Sequence, residues 1–472
     1  MKEIIQAIDD GDNILLTGGA GVGKTYNTNS IIDHLKSKGR KFSVCALTGL
    51  ASQHLHFGMT IHRFLGIGNK TSKASFAGLM NDDLFTKNLD SISHVSAIII
   101  DEVSMMRTDL LELIDLVLKE ARKIQCAKDG IVFSRAHEEP FGGYQMILVG
   151  DFCQLPPVVK KEESVPCKWI FQHEIFLAAN FRVYNLLEVK RTSDIRLATM
   201  LNKIRVGYFD KESEEIIKSR ANTKSSLDAT VLMSRVARVH DYNINRLKSD
   251  KGDDIVLRGF VSLREDVKDS SNEKEIKALY HSCISESGLP REIVIKMNCR
   301  IMLLANNAEM DYSNGSQGKV IGMKEFDTNN STYETSDGTF IDLDHKYFSE
   351  CLIVALDDGR EVVVPRRAHN IYGAAFDDKG RRLADATYYQ YPIVLGYSVS
   401  IHKSQGMSLT NMVLDCSQIF ADGQFYVGIS RARSLEGISL LNFDKHYIKA
   451  DQDAVDFYLR IANLKNGEFF NI

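Results

Sequence analysis

The chain has 472 residues, of which 44% are hydrophobic and 25% charged, and its formal net charge is −4. That is the profile of a globular protein too long for one ordinary core, so more than one domain is expected. The charge excludes a globally basic surface, so any nucleic acid has to be met by a local groove, and no run is apolar enough for a membrane-spanning helix.

The N-terminal stretch MKEIIQAIDDGDN is short and acidic, unlike a secretory signal or an Arg-rich transit peptide, and a cytoplasmic protein is expected. It runs directly into LLTGGAGVGKT (15–25). Gly18, four residues, then Gly23-Lys24-Thr25 form the P-loop pattern. In that pattern backbone N–H groups cradle phosphates, the lysine reaches the terminal phosphates and the hydroxyl meets Mg²⁺. Gly18, Gly19, Ala20, Gly21, Val22, Gly23, Lys24, Thr25 and the adjoining Tyr26 are the candidate nucleotide-binding residues.

NILLTG (13–18), FSVCALT (42–48), SAIIIDE (96–102) and MILVGD (146–151) are apolar runs separated by helix-length segments. They predict a parallel sheet covered on both faces. RTDLLELIDLVLKEARK sets Leu110, Leu113, Ile114, Val117 and Ala121 on one helical face, with Thr108 as N-cap and Asp109 in the first turn. Polar residues gather at the carboxyl ends of the strands, where such sheets place ligands: Gly18 onward, Thr48, Asp101-Glu102, and Asp151 through Gln154. Asp101 suits Mg²⁺ held through water, and Glu102 suits polarising an attacking water. Gln154, in GDFCQLPPV, is placed to sense the γ-phosphate; the bland alternative is a turn set by Pro156-Pro157.

A second α/β block begins near residue 185, with ATVLMSR (229–235), IVLGYSVSIHKSQG (393–406), NMVLDCS (411–417) and GISLLNF (437–443) as buried strands leading into loops. The charged, Ser-rich stretch at 250–290 predicts a linker or surface helix. From 295 to 380, Asn314-Gly315, Asp337-Gly338 and Asp358-Gly359 fall between short β-rich runs, which is hairpin chemistry and predicts a small inserted β-barrel. The eight cysteines have no CxxC pairs and read as reduced structural thiols, not zinc ligands or a disulfide framework. Arg191 in LLEVKRTSD and Arg431 in YVGISRARS are candidate cations for a transferring phosphoryl group.

In order, the P-loop, TGLAS with TIHRFLGIG, IIIDEVSMM, VGDFCQLPP, VKRTSD, SVSIHKSQGMSL and YVGISRARS resemble motifs I, Ia, II, III, IV, V and VI of superfamily 1B helicases. DEVSMMRTDLLELIDLVLKEARK resembles the signature of the petite-integration-frequency (PIF) family. The resemblance implies an α/β fold of two RecA-like P-loop NTPase domains with parallel sheets, plus small insertions including an SH3-like β-barrel. The first domain is expected at 1–184 with a wedge insertion at about 67–92, the second at 185–294 and 381–472, and the barrel at 295–380.

The implied activity is an ATP-dependent helicase that moves 5′ to 3′ on single-stranded DNA and unwinds duplexes. The alternative is a DNA-stimulated ATPase that remodels protein–DNA complexes or RNA-containing substrates. The resemblance assigns Lys24, Asp101, Glu102 and Gln154 to catalysis, with Arg191 and Arg431 as fingers across the cleft. Thr25 and Asp101 fall to Mg²⁺, and Gln405 and Gly406 to the ATP site. Thr48, Thr60, His62, Phe64, Pro156, His402 and Ser404 match positions at or beside single-stranded DNA. The expected partners of this monomeric motor are single-stranded DNA and duplex junctions, with G-quadruplexes and RNA–DNA hybrids as further tracks. One departure stands out: family members usually carry an adenine-reading glutamine upstream of the P-loop, and here only Gln6 precedes the strand.

Overall fold

Apolar runs without alternation form strands buried on both faces, and four of them, flanked by two less buried edge strands, build one six-stranded sheet. The six strands are β1 (Ile14–Gly18), β2 (Phe42–Ala46), β3 (Met59–Thr60), β4 (Ala97–Asp101), β5 (Gln145–Gly150) and β6 (Arg182–Leu186). Their order is β3-β2-β4-β5-β1-β6, and every paired neighbour is parallel. The computed structural model describes all residues except 48, 53–54, 69–71, 132–137, 160–161, 189–193, 222, 224–228, 306, 308, 313–314, 326–330, 335–339, 344–349, 377–381 and 471–472.

Successive side chains of a strand point to opposite faces, and the two faces carry separate cores. Ile14, Leu16, Ile99, Ile147 and Val149 pack with Ile4 and Ile8 of α1 (Lys2–Asp9) and Ile31, Ile32 and Leu35 of α2 (Lys24–Ser37). Leu15, Ile98, Ile100, Met146 and Leu148 pack on the other side, against α3 (Thr108–Lys128). The expected face of α3 is borne out, since Leu110, Leu113, Ile114, Val117 and Ala121 are all buried. Thr108 is not its N-cap. That position falls to Arg107, and the Thr108 hydroxyl donates to the Cys167 carbonyl at 2.8 Å instead. Residues expected as a wedge form the helices Phe76–Met80 and Asp83–Ser93, whose Leu79, Phe85, Leu89 and Ile92 join the α3 core.

The chain forms two compact units, Met1–Arg235 with Ser400–Ile472, and Val236–Val399. The first also holds a second parallel set, β7 (Thr230–Met233), β8 (Met412–Asp415) and β9 (Ile438–Leu441), with β8 in the middle. The same unit contains the helices α4 (Ile195–Arg205), α5 (Gln424–Ile429) and α6 (Gln452–Ala462).

The second unit is mostly antiparallel. Its five-stranded sheet runs Glu361–Val364, Glu350–Leu356, Gln317–Glu325, Arg300–Leu303, Ile393–Leu395. The Asp358-Gly359 turn closes the first hairpin as expected, with Gly359 at φ 90°. Asn314 of the expected Asn314-Gly315 turn and the whole of the Asp337-Gly338 turn lie outside the described residues. Residues 265–287 form the surface helices Glu265–Ser270 and Glu273–Ser287, the second opened by a capping box between Asn272 and Glu275. The run IVLGYSVSIHKSQG is not one strand. Ile393–Leu395 pairs with Arg300–Leu303, and a separate strand spans Ser398–Ser400. Gly396 marks the break, where a Cβ would lie 2.7 Å from the Ile301 carbonyl.

Candidate nucleotide and nucleic-acid site

At the end of β1 the chain turns through glycines with positive φ, Gly18 at 143°, Gly21 at 77° and Gly23 at 87°. A Cβ at Gly18 would lie 2.3 Å from the Leu186 carbonyl oxygen, so only glycine lets the loop pass β6. α2 then opens at Lys24, and its first-turn N–H groups form a ready anion site. Lys24 Nζ donates to the carbonyls of Gly18 and Gly19, both at 2.9 Å. Burial pushes its pKa down, against the carboxylates of Asp151, Glu102 and Asp101. Thr25 and Tyr26 stand exposed beside it.

Asp101 ends β4, is buried, and accepts the Glu102 N–H at 2.8 Å. Burial and the neighbouring Glu102 charge raise its pKa to about 7. Glu102 sits in the left-handed region at φ 57°, and its buried Oε2 has no hydrogen-bond partner among the described residues. These hard oxygens, with the Thr25 hydroxyl, fit Mg²⁺, which keeps several waters and binds through one or two carboxylates plus phosphate. Among the described residues no three His, Cys, Asp or Glu side chains form a metal cage.

Gln154 is buried after β5, and its Oε1 accepts from Gln405 Nε2 at 3.4 Å. Gly406 follows at φ 80°. Arg431 is buried to 2% exposure, and its guanidinium donates to the carbonyls of Val427 and Ser404 and to the Ser430 hydroxyl. The structure therefore brings Gln154, Gln405, Ser404 and Arg431 into one contact chain. Thr48 and Arg191 lie outside the described residues.

The residues matched to DNA divide into two groups. Thr60 caps the helix Ile61–Leu65 by accepting the Arg63 N–H, and His62 on its first turn is half-buried, its pKa lowered by burial. His402 is similarly half-buried and lowered, and Pro156 is partly exposed. Phe64 and Ser404, in contrast, are turned inward. Phe64 belongs to the α3 core, and the Ser404 hydroxyl donates to the Ile401 carbonyl. An inward ring offers no free face to a base, and an inward hydroxyl none to phosphate.

Four further residues enter the site that the motifs did not single out by role: Asp151, Arg205, Tyr426 and Tyr458. Asp151 is fully buried and receives Nε and Nη2 of Arg205, the latter at 2.8 Å. It also accepts the hydroxyls of Tyr426 and Tyr458, at 3.2 and 3.1 Å. Burial raises its pKa, but Arg205 and Lys24 outweigh that and hold it below the ordinary value. Tyr458 Oη further meets the Thr17 hydroxyl at 2.5 Å and accepts the Phe152 N–H at 3.1 Å. The available sequence signal was weak. Arg205 ends the amphipathic helix α4, and Tyr426 stands five residues before Arg431.

A family model described as PIF1-like helicase matches residues 1–215. The chain is 30% identical over 481 residues to the ATP-dependent DNA helicase Pif1 of Psychrobacter sp. (strain PRwf-1), across 95% of this chain and 68% of that protein. The crystal structure of Pif1 helicase from Candida albicans is similar at TM-score 0.71 and 27% identity, over 98% of both chains. Pif1 helicase from Bacteroides, solved with ADP-AlF3 and ssDNA, shares the fold at TM-score 0.68 and 24% identity, over 100% of this chain and 98% of that one.

Proposed function

The chain belongs to the PIF1-like helicase family, and from that premise we propose that it hydrolyses ATP to move 5′ to 3′ along single-stranded DNA and to part duplex strands. One observation carries the mechanism: Lys24 at the P-loop and the buried Asp101 with its half-buried neighbour Glu102 leave the same sheet at the carboxyl ends of β1 and β4. The domain reading of 1–184 and 185–294 with 381–472 as motor halves, and 295–380 as an SH3-like barrel, belongs to this proposal.

Lys24 and the α2 N–H groups hold the phosphates, and Tyr26 offers an exposed ring to the base. Thr25 and Asp101 would hold Mg²⁺, which would supply neutralisation of charge on the transferring phosphoryl group. Glu102, whose Oε2 has no partner among the described residues, orients the attacking water. Gln154 reports the phosphate state to Gln405 and the 402–406 loop, and Arg431, read from its motif as a finger across the cleft, also braces that loop through Ser404. Arg191 keeps the role of a finger from its motif alone. Thr60, His62, Pro156 and His402 face the strand, while Phe64 and Ser404 support the loops that carry them. The motor acts as a single copy on single strands and duplex junctions.

Hydrolysis stimulated by single-stranded DNA and lost in Lys24→Ala tests the ATPase half of this reading. Turnover unchanged by that substitution would remove Lys24 from it.

A further inference from the structure

The P-loop is held by more than its own turn. The Ala20 N–H donates to Tyr426 Oη at 2.6 Å, and Tyr426 Oη lies 3.2 Å from Asp151 Oδ2. A phenol has one proton and two lone pairs, so accepting from Ala20 leaves its proton for the carboxylate. Asp151 in turn is paired with Arg205, whose guanidinium stacks 3.9 Å above the Tyr458 ring. At Gly19 a Cβ would lie 3.4 Å from Tyr426 Oη and 3.5 Å from Arg205 Cδ, so the loop rests directly on these two side chains.

Tyr426 is itself fixed. Its helix α5 is preceded by Gly423 at the N-cap, at φ 70°, where a Cβ would lie 2.6 Å from the Cys153 carbonyl and 2.7 Å from that of Gln154. Only glycine lets α5 dock this closely on the loop after β5. The Ala20 bond therefore reaches from the P-loop to an element 406 residues away whose place is set by buried contacts.

We propose that Tyr426 is a positioning residue for the phosphate-binding loop: its hydroxyl ties Ala20 to the Asp151–Arg205 ion pair and thereby sets nucleotide affinity. A loop already held in its binding shape loses less conformational freedom when phosphate arrives, so the gain falls on binding, not on the chemical step. The inference rests on the reading that the P-loop holds ATP.

Tyr426→Phe removes the hydroxyl and keeps the ring, and Asp151 retains Arg205 and Tyr458. In the full chain, Kd for a fluorescent ATP analogue and KM for ATP should both rise roughly fivefold, the scale of one hydrogen bond, with kcat changed less than about twofold. Unchanged Kd and KM would overturn the proposal, as would a fall confined to kcat. A wild-type chain that binds no analogue would instead remove the P-loop reading itself. Should the variant unfold, amide exchange of the wild type decides: slow exchange at Ala20 without nucleotide is expected, and exchange as fast as that of an open loop would overturn the proposal.

Discussion

Gln405 donates through Nε2 to Oε1 of Gln154 at 3.4 Å, joining loops 251 residues apart in the chain. Both side chains are buried, so the bond has no competing water and its loss leaves an amide unpaired. Gln405→Ala should lower the ratio of DNA-stimulated to basal ATP hydrolysis roughly fivefold. An unaltered ratio would make the contact a packing feature only.

Asp101 gives a pH signature with a definite sign. Its pKa rises from 3.8 to about 7 in the folded protein, so the native state holds a proton that the unfolded chain has lost. Stability from this group therefore falls as pH climbs from about 4 to 7 and is level above that. Without divalent ions, Asp101→Asn should raise the thermal midpoint at pH 8, with the gain shrinking toward pH 5, while ATP turnover is lost. A gain that is the same at both pH values would contradict the raised pKa.

Phe152 follows Asp151 and anchors an aromatic cluster, its ring centroid 4.9 Å from Phe171, 5.3 Å from Phe457 and 5.8 Å from Trp169. Phe152→Ala should cost about 3–5 kcal/mol in the unfolding transition of its unit, the usual range for emptying such a site. Chemical denaturation checks this, and a loss below about 1 kcal/mol would show that the cluster closes over the gap.

What the sequence made legible was local. Apolar runs such as AIIID announce doubly covered strands, and the P-loop glycines announce the turn after β1, because each signal lies within one element. The α3 face was readable from its spacing, but Thr108 was not, since its hydroxyl is drawn to Cys167, 59 residues on. The Asp151 network was hidden for the same reason. Its partners Tyr426 and Tyr458 lie 275 and 307 residues away, and in the chain they look like ordinary aromatic residues of helices. IVLGYSVS reads as one strand because nothing beside Gly396 reveals that Ile301 will pass there. Phe64 and Ser404 show the limit of motif transfer: the motif gives the position, and only packing decides which way the side chain turns.

Strand separation on partial duplexes with either a 5′ or a 3′ single-stranded tail, in ATP and Mg²⁺ and beside Lys24→Ala, tests the proposed motor most directly. Opening of the 5′-tailed duplex alone, abolished in Lys24→Ala, is the expected result. Opening of the 3′-tailed duplex, or no opening despite DNA-stimulated hydrolysis, would contradict a 5′-to-3′ unwinding motor.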